Sequence, residues 1–195
     1  MIVLGLTGGI GMGKSTATGT LRRLGVRVFD ADAAVHRLQG PGGRAVAPIG
    51  AAFPGSVAQG RVDREALRRA VLGKPEAMRT LERIVWPLVR DEERRFLARA
   101  RRDRRRIVAL DIPLLFETGG EGRVDRVVVV SAPAAVQRLR VLRRPGMTEE
   151  RFASIHGRQM PDREKRRRAD HVVFTGLSRR FAQAAILRLV RSLQE

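Results

Sequence analysis

The sequence predicts an α/β/α fold of three layers, with a parallel five-stranded sheet between layers of helix. Five short apolar runs rich in β-branched residues carry this prediction, at 2–7, 26–29, 107–111, 127–130 and 172–174. Stretches with helical spacing separate them, as crossovers between parallel strands require. The first run also feeds directly into a glycine-rich stretch and then a helix, the order in which such sheets present phosphate-binding loops.

Residues 2–7, Ile-Val-Leu-Gly-Leu-Thr, read as a strand buried on both faces. Next come Gly8-Gly9-Ile10-Gly11-Met12-Gly13-Lys14-Ser15, which match G-x-x-x-x-G-K-[ST] at every fixed position. Glycines let the backbone curl with its N–H groups pointing inward, forming a nest for phosphate oxygens. Lys14 can place its ammonium on the β and γ phosphates, and the Ser15 hydroxyl can ligate Mg²⁺. The helix that follows, from Thr16 to Leu24, turns its positive end toward the same anion. The nucleotide phosphates are therefore assigned to Gly9, Ile10, Gly11, Met12, Gly13, Lys14, Ser15 and Thr16.

Gly25 stands where a left-handed helix cap is usual. The second strand, 26–29, ends in Asp30-Ala31-Asp32, so two carboxylates arrive at the sheet edge that carries the loop. One of them is expected to face the reacting phosphate. Asp30 reads equally well as a helix cap. Residues 40–60, rich in Gly, Pro and Ala, read as loop with a short helix near Ala45. Asp63 caps a helix that packs Leu67, Ala70 and Val71 and stops at Gly73. Pro75 opens another, with Met78, Leu81 and Val85 inward; Pro87 is expected to end or bend it before the pattern resumes through Phe96 and Leu97.

The run 107–111 is a strand ending in Asp111, the place of a carboxylate that helps hold Mg²⁺ directly or through water. Residues 119–122, Gly-Gly-Glu-Gly, read as flexible. The strand at 127–130 leads to a helix from Ala134 to Arg143, interrupted by Arg143-Arg144-Pro145-Gly146-Met147. A second helix runs from Thr148 to about Gln159, and this basic pair reads as a lid able to close over phosphates. After the strand at 172–174, Ser178 caps a last helix whose Ala182, Ile186, Leu189, Val190 and Leu193 face inward.

The chain has 195 residues, room for one well-buried domain, and no cysteine, which removes disulfides and thiolate metal sites. No stretch approaches the roughly 18 apolar residues of a membrane span. A formal charge of +19 invites a polyanionic partner. Yet the arginines are scattered in short clusters, and no tyrosine, one tryptophan and few phenylalanines leave a thin platform for stacking bases. Neither nucleic acid nor membrane is expected as a partner.

The sequence resembles the dephospho-CoA kinase family over essentially its full length. The segment 5–15 looks like that family's opening motif. Asp30-Ala31-Asp32, Ile112-Pro113-Leu114-Leu115-Phe116-Glu117, Val124-Asp125, Gln137-Arg138 and Gln159-Met160-Pro161 match in order and spacing. The resemblance implies a P-loop NTPase fold like that of the nucleoside monophosphate kinases. Its core is placed at about 1–38, 106–142 and 168–195, with a helical substrate-binding insertion at about 39–105 and a lid at about 143–167. It implies ATP and dephospho-CoA as substrates, Mg²⁺ as cofactor, and a cytoplasmic kinase acting on the ribose 3′-hydroxyl. Asp32 carries over as general base, with Lys14 and a lid arginine beside it; Arg144 matches the family's lid arginine, and Arg143 is its alternative. Three departures stand out. Trp86-Pro87 replaces the family's His-Pro, Pro145 replaces an Asp, and Phe174-Thr175-Gly176 stands where an Asn is usual, near the adenine. The rival readings are a kinase for another small acceptor and a nucleic-acid-binding ATPase.

Overall fold

The structure, a computed structural model, describes residues 1–194. In chain order its elements begin with β1 (Ile2–Thr7), α1 (Lys14–Arg23), β2 (Arg27–Asp30), α2 (Ala31–Gln39) and α3 (Val46–Ala52). A short hairpin follows, β3 (Val57–Ala58) and β4 (Arg61–Val62), and then α4 (Arg64–Val71), α5 (Pro75–Arg102) and β5 (Ile107–Asp111). After a single 3₁₀ turn at Glu121–Arg123 come β6 (Arg126–Ser131), α6 (Ala134–Leu142), α7 (Glu149–Gly157), α8 (Asp162–Arg168), β7 (His171–Phe174) and α9 (Arg179–Ser192). Two compact units result, one of residues 1–29 with 100 onward, the other of residues 30–99.

All of β1 after Ile2 is buried, so it needs cover on both faces and takes the middle of the sheet β2-β5-β1-β6-β7. Its parallel neighbours set Leu4 beside Ala109 of β5 and Leu6 beside Val128 of β6, and β6 in turn runs parallel to β7. Two aspartates start these ladders. Asp125 Oδ2 accepts the Val3 N–H at 2.7 Å while the Asp125 N–H returns to the Val3 carbonyl at 2.8 Å. Asp170 Oδ2 takes the Val127 N–H at 2.6 Å. Each stands one residue before its own strand and satisfies an amide that has no ladder partner there.

Leu4, Leu6, Val128, Val130 and Val173 of the sheet pack with Ala17 and Leu21 of α1 and Ala182, Ile186 and Val190 of α9. Burying these side chains supplies the main driving force for the three layers. The second unit has its own core of Leu38, Ile49, Phe53, Val62, Leu67, Val71 and Val85. Among the described residues no helix is long and apolar enough to cross a membrane.

Several elements depart from the sequence expectation. The second strand does not continue past Asp30. Asp30 Oδ1 accepts the Ala33 N–H at 2.9 Å and caps α2, so its cap reading is the observed one and Asp32 sits in the first helical turn. The expected loop at 40–60 contains a hairpin, closed by Gln59 (φ 51°) and Gly60 (φ 70°), two consecutive left-handed residues. Of the two outcomes expected at Pro87, an end or a bend, the end does not occur: α5 runs through it from Pro75 to Arg102, as the resumed pattern implied. The segment 119–122 is not a plain loop but runs into the 3₁₀ turn. A helix absent from the reading, α8, carries a basic run whose one buried residue is Lys165.

Candidate active site

The loop leaves the sheet at Thr7 and enters α1 at Lys14. Gly13 is the N-cap of α1 in the left-handed region (φ 91°), with no side chain capping the helix. The first amides of α1 are thus left for an anion rather than spent on a cap. Gly11, also left-handed (φ 77°), passes so close to α6 that a Cβ there would lie 2.5 Å from Val141 Cγ2 and 2.9 Å from the Gln137 carbonyl. No other residue fits.

Side chains from three separate segments hold the loop in this shape. Gln159, just after α7, accepts the Ile10 N–H at 2.9 Å, and Gln137 of α6 donates to the Ile10 carbonyl at 2.8 Å. Both polar groups of Ile10 are therefore taken by protein; the Met12 N–H returns to the Gly9 carbonyl at 3.2 Å and the Thr16 N–H to the Gly13 carbonyl at 3.0 Å, which leaves the amides of Gly11, Gly13, Lys14 and Ser15 for an anion. Thr175, after β7, donates to the Met12 carbonyl at 2.6 Å and accepts from Arg140 at 3.1 Å, while Arg140 also reaches the Thr175 carbonyl at 2.7 Å. Met12 is buried, its sulfur 3.0 Å from the Ala132 N–H.

Lys14 forms an ion pair with Asp111 at the end of β5. The second Asp111 oxygen accepts from Thr18 at 2.6 Å, and the carboxylate is buried. The Ser15 hydroxyl is exposed at the mouth of the loop. Glu117, from the Pro-Leu-Leu-Phe-Glu segment, accepts the Met160 N–H at 2.8 Å and the ammonium of fully buried Lys165 at 2.7 Å. This fixes the chain immediately after Gln159.

Arg143 and Arg144 stand exposed between α6 and α7, with no ion pair among the described residues. The Met147 N–H bonds the Arg144 carbonyl at 3.1 Å, and Gly146 has φ 70°. With Pro145 ahead of that glycine, this is a type II turn, and both residue types suit it. Asp32 belongs to the other unit, exposed in the first turn of α2.

The sequence profile of the family described as dephospho-CoA kinase matches residues 2–177. The chain belongs to the dephospho-CoA kinase family. A dephospho-CoA kinase of Paramagnetospirillum magneticum is 62% identical over 166 residues, 85% of this chain and 78% of that one. One from Mesorhizobium japonicum is 54% identical over 194 residues, covering 100% of this chain and 98% of its own. Among solved structures, a protein of Thermus thermophilus aligns with TM-score 0.87 at 37% identity, covering 98% of this chain and 96% of that one. The dephospho-CoA kinase of Campylobacter jejuni (TM-score 0.69, 19% identity, 98% and 96% covered) shares the fold.

Mg²⁺ fits what the kinase offers. No group of three or more His, Cys, Asp or Glu side chains that could hold a metal occurs among the described residues. Mg²⁺ needs none, since it keeps several waters and is held by one or two protein oxygens together with nucleotide phosphates. The exposed Ser15 hydroxyl is such an oxygen, whereas both Asp111 oxygens are engaged by Lys14 and Thr18. Gln137, Gln159 and Glu117 appeared in the sequence only as parts of matching motifs, without a role. Thr175 appeared only as a departure near the adenine; its hydrogen bonds make it a support of the loop.

Proposed function

We propose that the protein transfers the γ-phosphoryl group of ATP to the ribose 3′-hydroxyl of dephospho-CoA, giving CoA and ADP in the last step of coenzyme A biosynthesis. The single observation that carries this reading is a phosphate loop with an uncapped helix start, braced from three segments, in a chain of the dephospho-CoA kinase family.

On the donor side, the loop from Gly9 to Thr16 holds the phosphates through those of its amides not spent within the loop. Lys14 leaves Asp111 for the β and γ oxygens and neutralises charge on the transferring group. The Ser15 hydroxyl would hold Mg²⁺ arriving with ATP, which would supply further neutralisation of phosphate charge. Arg144, with Arg143 as the alternative, reaches the phosphates from the lid at about 143–167. On the acceptor side, Asp32 orients the 3′-hydroxyl of a substrate held by the insertion at about 39–105 and accepts its proton as the O–P bond forms and ADP leaves. Phosphoryl transfer has a loose transition state, so positioning and electrostatics carry most of the rate. We place the reaction in the cytoplasm.

The test is ADP release with Mg²⁺-ATP and dephospho-CoA, with CoA identified by mass and AMP, adenosine and single-stranded DNA in parallel wells. CoA formation from dephospho-CoA alone is expected. Asp32→Asn should lower kcat by about 10²–10⁴, and Lys14→Ala should be similarly impaired while folded. Near-normal turnover by Asp32→Asn removes the base; ADP release only with another acceptor overturns the substrate.

A further inference from the structure

Helix α2 carries more chemistry than Asp32. Asp32, His36 and Gln39 recur at i, i+4 and i+7, one stripe along the helix, while Ala34 and Leu38 face the core. The stripe runs from Asp32 onto the rim of a cleft of about 700 Å³ within residues 30–99, whose charged and polar lining includes His36, Gln39, Arg61, Asp63, Arg64 and Glu65.

The cleft is furnished for an anion. The guanidinium of Arg64 lies 3.2 Å from His36 Nε2. A guanidinium has no acceptor, so in this contact Nε2 is the accepting atom. The imidazole thus holds Arg64 in place without neutralising it. Neither Arg61 nor Arg64 pairs with an acid among the described residues, although Arg44, Arg95 and Arg138 all do. Of the two acids on the rim, Asp63 is committed to the cap of α4, where its Oδ1 accepts the N–H groups of Glu65 at 2.9 Å and Ala66 at 3.1 Å. Glu65 sits in the first turn of α4, where the helix end favours its charge.

We infer that this cleft anchors the pyrophosphate of the acceptor, with Arg64, oriented by His36, making the main contact and Arg61 a second. The inference deepens the reading of Asp32 as the base and rests on it. Four residues of helix rise about 6 Å. A nucleotide whose 3′-hydroxyl lies at Asp32 and whose 5′ side follows α2 would carry its 5′-phosphates about one helical turn along, at His36 and Arg64. Planar guanidinium forks suit bridging of adjacent phosphate oxygens. The cleft then discriminates acceptors that carry a 5′-diphosphate from nucleosides that do not.

The experiment is calorimetric titration of dephospho-CoA, and separately of ATP, into wild type, Arg64→Ala, Arg64→Lys, His36→Ala and Arg83→Ala. Arg83 is an exposed control on α5 whose guanidinium donates to Thr80. Phosphorus NMR of bound dephospho-CoA and thermal melts accompany each titration. Arg64→Ala should weaken dephospho-CoA about 10- to 100-fold, the range for a lost charge-assisted contact. ATP affinity and melting should not move, and the shift of the diphosphate resonances on binding should be lost. Arg64→Lys should recover part of the affinity, and His36→Ala should cost less than Arg64→Ala. Unchanged dephospho-CoA affinity in Arg64→Ala overturns the inference. So does a loss shared equally by ATP and accompanied by a lower melting temperature, which marks a structural role. Turnover by wild type tests the functional reading separately, so either can fail alone.

Discussion

Replacing Glu117 by Gln should destabilise the protein more than any exposed charge change. Lys165 is fully buried, and its ammonium meets Glu117 Oε1 at 2.7 Å. The other oxygen, Oε2, is buried without a hydrogen bond among the described residues. Glutamine keeps an oxygen for the Met160 N–H but removes the charge facing Lys165. Stranding one partner of a buried pair costs about 3–5 kcal/mol. Glu117 retains some contact with solvent (16% exposed), so we expect the lower end, about 3 kcal/mol. In a chain of this length that corresponds to a fall in Tm of about 6–12 °C. Lys165→Met alone should cost less, since the carboxylate can turn toward water at its exposed edge. The double variant Glu117→Gln/Lys165→Met keeps the bond to Met160 and fills the lysine's volume, so it should regain most of the loss. Urea denaturation of all four proteins closes the cycle. A double variant as unstable as Glu117→Gln, or a single variant as stable as wild type, would refute the pairing argument.

Other expectations follow from the same geometry. Thr175→Val keeps the shape but strands the Met12 carbonyl; it should cost about 1–3 kcal/mol in denaturation and raise KM for ATP with little change in kcat. Asp111→Asn removes the carboxylate that holds Lys14 in the empty loop, so metal-free ATP should bind more tightly by calorimetry; weaker binding would show that Asp111 prepares the lysine instead. Asp91 lies below the usual carboxylate range, first because Arg44 hydrogen-bonds it, and also because Arg95, Arg44 and Arg94 lie near. A carboxylate depressed in the folded state stabilises above its unfolded pKa of about 3.9 and loses that contribution as pH falls through the lower folded value. The stability gap between wild type and Arg44→Ala should therefore be constant above about pH 4 and close below it; a gap that widens in acid contradicts the assignment.

The strands and the loop were legible because their signals are local. A buried parallel strand declares itself in five or six consecutive residues, and the phosphate loop needs Gly8, Gly13, Lys14 and Ser15 at fixed offsets. Caps were legible for the same reason at Asp63 and Ser178, each of which accepts an N–H three residues on. Asp30 shows the limit. Strand end and helix cap share the same residue type, and only the observed turn into α2 decides between them. The hairpin at 57–62 was hidden because each strand has two residues, too few to show alternation. The braces of the loop were hidden for a different reason. Gln159 and Ile10 are 149 residues apart, and Thr175 and Met12 are 163 apart; no periodicity spans such distances, so only the fold brings them together.

These long-range braces also change the meaning of the departures. Thr175 fills a position expected to touch adenine, yet its hydroxyl is spent on the Met12 carbonyl, and Gly13 packs against it closely enough that a Cβ would lie 2.9 Å from Oγ1. Its identity is set by the loop, so a polar residue of another size there would strain the nest before it altered base recognition. Pro145 is likewise a backbone choice: ahead of Gly146 it presets the turn that presents Arg144. Between these two in the chain lies Gln159, just after α7 and bonded directly to Ile10. Glu117 clamps Met160, the next residue, so Gln159 meets Ile10 from a fixed point of the chain. Gln137 bonds the carbonyl of the same residue, so the loop at Ile10 is braced through both of its polar groups.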